Sequence, residues 1–137
     1  MSFFVANDGD KLIAQYITNN ATPENLKIKV FVNNVTPDKS FTAASLTECS
    51  ASGYAAITTS AGSFTITEGT GAGTTPTTIA YPQQTFALTA GATCYGYYVI
   101  GATSTKLYLA ELFTGGPYVI PSGGGNVLVT VNFSSVS

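Results

Sequence analysis

The chain contains no histidine, no arginine and no tryptophan, and only 9% of its residues are charged. Without histidine, Ser-His-Asp and Cys-His triads, imidazole metal sites and the commonest general base are excluded. Without arginine there is no planar fork for bidentate recognition of phosphate or carboxylate. Five lysines are too few for a basic stripe, so nucleic acid is not an expected partner. Two cysteines alone cannot complete a four-ligand zinc site, and no metal or other cofactor is expected. No apolar run approaches the roughly 18 residues of a membrane helix, so no membrane partner is expected. The start, Met1-Ser2-Phe3-Phe4-Val5, has no basic region and soon meets Asn7-Asp8-Gly9-Asp10. A secretory signal is therefore not expected, and synthesis in a cytoplasm is. There Cys49 and Cys94 are expected as free, buried thiols. A bridge is the alternative, because spacing does not say whether their Cβ atoms meet.

What is present points to strands. The 137 residues suit one domain spanning 1–137, long enough to bury about two thirds of the unfolded surface. Thr, Ser, Gly and Ala stand where charges usually do, with eight Tyr and eight Phe among them. Thr, Tyr, Phe and Val favour a pleated, half-buried surface. A net charge of −2 does little to keep copies apart and favours association.

One helix is expected, over residues 8–18. Asn7 or Asp8 can cap it, Asp10 suits the first turn, and Leu12, Ile13, Tyr16 and Ile17 share a face. After Pro23 the period becomes two: Leu26, Ile28, Val30 and Val32 point one way, while Lys27, Lys29 and Phe31 form a wet face. Residues 41–48 favour neither state. Residues 54–59 and 63–68 read as a hairpin about Ser60-Ala61-Gly62, and the Gly-rich stretch 69–76 as its flexible sequel. Residues 78–88 are interrupted at Pro82, which cannot donate to a ladder. Residues 94–100 and 106–113 form the next pair, and Tyr118-Val119-Ile120 a short piece. The last strand, 127–133, alternates Val127, Val129, Val131 and Phe133 against Leu128, Thr130 and Asn132. The expected fold is all-β: an antiparallel β-sandwich of about seven short strands with one short N-terminal α-helix.

Little of this is catalytic. Gly69-Thr70-Gly71-Ala72-Gly73 lacks the Lys-Ser/Thr of a phosphate loop, and Gly123-Gly124-Gly125 leads into a strand. Asp8, Asp10 and Asp38, or Glu48, Glu68 and Glu111, offer carboxylates to a two-acid hydrolase. The plainer reading is a helix cap and solvated or Lys-paired groups, so no enzyme and no catalytic residue is expected. Asn7-Asp8-Gly9-Asp10 lacks the later ligands of a calcium loop. Tyr95-Gly96-Tyr97-Tyr98 is the most distinctive cluster. On a strand Tyr95 and Tyr97 share a face and could stack on sugar rings; alternatively the rings fill the core and a subunit interface. Gly96 would then allow close backbone approach.

The order of motifs resembles a family of small virion proteins of tailed bacteriophages. The resemblance is carried by residues 26–37 (LKIKVFVNNVTP), 53–56 (GYAA), 81–86 (YPQQTF), 94–99 (CYGYYV) and 107–113 (LYLAELF), and runs over nearly the whole chain. The family usually has Trp and Arg around the last motif, where this chain has Tyr108 and Leu112. The resemblance implies a capsid decoration, or cement, protein on the virion surface, bound to the major capsid protein and to itself as a dimer or trimer. A tail- or fibre-associated module and a carbohydrate-binding module are the alternatives. Interface candidates are Phe3, Phe4 and Val5, with Tyr95 and Tyr97. The apolar segment 1–6 is either an anchoring arm or a further strand of its own sheet.

Overall fold

The computed structural model describes residues 4–70 and 76–134. The described chain is mostly β, with one helix and several small antiparallel sheets. Its largest sheet has five strands in the order β1 (Phe4–Val5), β9 (Leu107–Leu112), β8 (Gly96–Gly101), β2 (Leu26–Phe31) and β3 (Ile57–Thr58). The central strand β8 is buried at every residue.

Both faces of this sheet are covered. Ile28, Val30, Tyr97, Val99 and Leu109 enter one hydrophobic cluster, while Phe31, Tyr98, Ile100 and Ala110 enter another. The face of β2 expected to be wet therefore carries Phe31, 0% exposed. Its cover comes from Ala6 and from the segment 33–47, whose Val35, Phe41, Ala43 and Leu46 pack there. The 3-10 turn Ala43–Ser45 sits within that cover. Burying a ring such as Phe31 is worth about 1.5–3 kcal/mol relative to exposure. Gly96 makes the fit possible: a Cβ there would stand 2.6 Å from the Phe31 ring and 2.2 Å from the Glu111 carbonyl oxygen.

The first cluster is closed by a ribbon. β6 (Gln84–Leu88) pairs with β11 (Gly125–Val129), and β5 (Thr78–Ala80) with β12 (Asn132–Ser134). Phe86, Leu88, Val127, Val129 and Val131 face inward, and Leu128, Thr130 and Asn132 outward, as the alternation requires. Pro82 falls between β5 and β6, and Tyr81 N–H donates to the Val131 carbonyl across the break at 2.9 Å. β4 (Thr65–Thr67) adds to β5, and β10 (Tyr118–Ile120) pairs with β7 (Ala92–Cys94). Cys49 and Cys94 are free and buried in the first cluster.

Two further expectations need correction. The two pieces flanking Ser60-Ala61-Gly62 are not a hairpin, since β3 joins β2 and β4 joins β5. The 3-10 turn Ala61–Ser63 redirects the chain between sheets. Tyr95 interrupts the expected strand 94–100, because β7 before it and β8 after it belong to different sheets. Strand β9 carries a bulge: Val99 pairs with Leu109 but Ile100 with Leu107, leaving Tyr108 extra. Leu107 consequently packs in the opposite cluster from Leu109, against the period of two.

Candidate interaction surface

The helix α1 (Asn7–Ile17) lies against β9. Its N-cap is the buried Ala6 and no side chain caps it; the Ala6 N–H instead donates to the Tyr108 carbonyl at 2.8 Å. The expected apolar stripe is split. Gly9 is buried and Leu12 and Tyr16 half-buried, whereas Ile13 is 41% and Ile17 81% exposed. At the bulge the Tyr108 hydroxyl meets that of Tyr16, which reaches Glu24 Oε2 at 3.5 Å. Glu24 Oε1 accepts the N–H groups of Thr103 and Ser104 at 3.0 and 2.9 Å, so one carboxylate fastens the helix to the β8–β9 turn.

Beside this cluster lies an open apolar groove of about 290 Å³. Tyr16, Pro23, Leu26 and Tyr108 line one part of it, and Phe64, Ile66 and Ile79 of the β4–β5 sheet another. Ile66 is 66% exposed. Burial, then the bond to Tyr16, hold the Tyr108 phenol well above its ordinary pKa. It is therefore a neutral hydrogen-bonding group and no base at neutral pH. The groove suits apolar contact.

A second cleft, of about 380 Å³, is lined by Asn34, Tyr95, Leu112, Phe113, Gly116 and Pro117. The Gly116–Pro117 peptide is cis. Phe113 stacks on Tyr118 with centroids 4.6 Å apart. Tyr95 thus reaches a surface, but Tyr97 does not share it. Tyr97 is 4% exposed in the first cluster, and Tyr95 packs against the second. The expected Tyr95–Tyr97 sugar platform is not formed, because the change of sheet at Tyr95 turns the side chain over. Of the N-terminal candidates, Phe3 lies outside the described residues. Phe4 and Val5 pair with Ala110 and Leu109, so they form a strand of their own sheet.

Much of the small charge complement is engaged internally. Lys29 pairs with Glu48 at 3.1 Å, and Tyr54 donates to the same carboxylate at 2.9 Å. Lys39 pairs with Asp10 at 3.0 Å, Asp38 accepts from the Ser40 N–H at 2.7 Å, and Tyr97 donates to Glu111 at 3.4 Å. Asp10, Asp38, Glu48 and Glu111, four of the carboxylates considered as acid pairs, thus serve separate local partners. Outward, Ile13, Ile17, Ile66, Val119 and Leu128 stand as exposed large hydrophobics. No described helix is long and apolar enough to cross a membrane. Among the described residues no group of three or more His, Cys, Asp or Glu gathers to hold a metal.

No family model matches the chain, and no curated protein or solved structure matches it. Sequence reasoning missed the groove altogether. Tyr108 stands 92 residues from Tyr16 in the chain, and the bulge that carries it has no Gly or Pro to announce it.

Proposed function

We propose that the protein is a non-enzymatic virion component of a tailed bacteriophage: a capsid decoration protein with a β-sandwich body that binds the outer surface of the major capsid protein lattice and stabilises the head. The observation that carries this reading is the disposition of charge and apolar surface. Two of the five lysines are paired with carboxylates, Lys29 with Glu48 and Lys39 with Asp10, while Ile13, Ile17 and Ile66 are exposed on α1 and β4, the elements that border the apolar groove. Such a surface favours association through shape and apolar contact. On a lattice, many weak copies of one contact act together. The family resemblance of the motifs supplies the particular assembly.

Quantitative mass spectrometry of purified particles tests it. A copy number comparable with that of the major capsid protein is expected. Absence from particles overturns the reading, and a few copies per particle overturns it in favour of a tail position. Particles lacking the protein should also lose their genome at lower temperature, because a ligand of the assembled state stabilises that state.

A further inference from the structure

The strand β4, Thr65–Thr67, is unlike the other described strands. All three of its side chains are exposed and all three are β-branched. It forms the edge of the sheet β12–β5–β4, so among the described residues no strand lies on its outer side. Natural edges are usually blunted by a lysine, a proline, an inward charge or a bulge. Here Phe64-Thr65-Ile66-Thr67 has none of these, and its pairing with β5 is regular. An edge of this kind accepts one more extended strand.

The sequence of the edge says which strand. Thr-Ile-Thr reads the same in both directions. A two-fold axis through Ile66 would set Thr65 of one copy against Thr67 of the other, and Ile66 against Ile66. Glu68 would fall opposite Phe64, so its charge meets an aromatic ring and no like charge. The ladder closes in either hydrogen-bonding phase, since an axis through one residue is compatible with both pair types of an antiparallel ladder. The faces behind the edge match as well. Ile66 and Ile79 are cross-strand neighbours that line the apolar groove with Phe64, so pairing brings the two grooves to one seam. An isologous contact of this sort is closed and stops at two copies.

We infer that two copies of this chain associate through antiparallel pairing of their β4 strands, joining two three-stranded sheets into one of six strands across a two-fold axis at Ile66. The inference goes beyond the virion reading and does not depend on it. It concerns the purified protein alone, whereas the virion reading is judged on particles.

Sedimentation velocity over a concentration series tests it, with Ile66→Lys and Ile66→Cys beside the unchanged protein. The unchanged protein should pass from monomer to dimer as concentration rises. Ile66→Lys sets two like charges opposite each other and should weaken the dimer by about tenfold or more. Its melting temperature as a monomer should be unaltered, because Ile66 is 66% exposed. Ile66→Cys should form a reducible intermolecular disulfide under mild oxidation, with Cys49 and Cys94 buried and out of competition. Thr67→Cys, two residues off the axis from its counterpart, should crosslink far more slowly. A protein monomeric at every concentration overturns the inference. So does a dimer that survives Ile66→Lys unchanged, or equal crosslinking at positions 66 and 67.

Discussion

The hydroxyls of Tyr16 and Tyr108 are hydrogen-bonded to one another across 92 residues of sequence, and this contact joins α1 to the bulge of β9. Either ring replaced by phenylalanine keeps its packing and loses the bond. Tyr16→Phe and Tyr108→Phe are each expected to cost about 0.5–1.5 kcal/mol, measured by urea unfolding. The double variant should cost less than the sum, because the bond can be lost only once. Strictly additive costs would show that the two hydroxyls act separately.

Stability should fall on the alkaline side. Burial, reinforced by Cys49, pushes the Cys94 thiol from 9.0 up to about 11, and burial, with the Glu48 charge, pushes Tyr98 from 10.0 up to about 12. Both folded values are raised. Below the ordinary values folded and unfolded chains alike hold these protons, and their contribution is complete. As pH rises beyond 9.0 and then 10.0 the unfolded chain releases protons that the folded one keeps, and stability drains until the folded groups titrate at about 11 and 12. Chemical denaturation at pH 8, 9.5 and 10.5 (about those values) should show a level start and then a decline. A level profile across all three would contradict this.

Glu111 follows the same rule at acidic pH. Burial raises its pKa, while the bond from Tyr97 lowers it by less. A raised folded value means that its contribution is full below the ordinary 4.5 and is lost as pH rises through the folded value, when charge must be buried. Glu111→Gln keeps an acceptor for Tyr97 and removes that charge. It should melt higher than the unchanged protein near neutral pH, with the gap closing below about pH 4. A lower melting temperature at neutral pH would mean that the carboxylate is stabilising.

Gly96→Ala should be the most damaging small substitution in the sheet. The added methyl meets the Phe31 ring and a backbone oxygen, neither of which is the free end of a flexible chain. A loss of about 1–3 kcal/mol is expected from thermal unfolding, the usual range for overpacking a dense core. A loss under about 0.5 kcal/mol would show that the sheet gives way easily.

These residues also mark how far the sequence could be read. Alternation located β2, the β8–β9 pair and the inward valines of β11, and Pro82 located the break before β6. It could not tell that the far face of β2 is covered, because that cover comes from the segment 33–47, which has no period of its own. Nor do turn residues tell which sheet a short strand joins, so local signals alone pair β3 with β4, whereas β3 joins β2 and β4 joins β5. A period of two puts Tyr95 and Tyr97 on one face only where the strand is unbroken, and here it changes sheet at Tyr95. The bulge at Tyr108 and the helix face at Ile13 and Ile17 were hidden for the same reason: local pattern is read one element at a time, and packing between distant elements decides the rest.

If the protein attaches to a capsid through uncharged surface, purified protein should co-sediment with particles stripped of it. Ionic contacts are screened over about 8 Å at physiological salt and about 3 Å at 1 M, whereas apolar and backbone contacts are not. Binding should therefore saturate at one stoichiometry and persist nearly unchanged at about 1 M salt. Release of the protein as salt rises, or no co-sedimentation at any salt, would rule out attachment through uncharged surface.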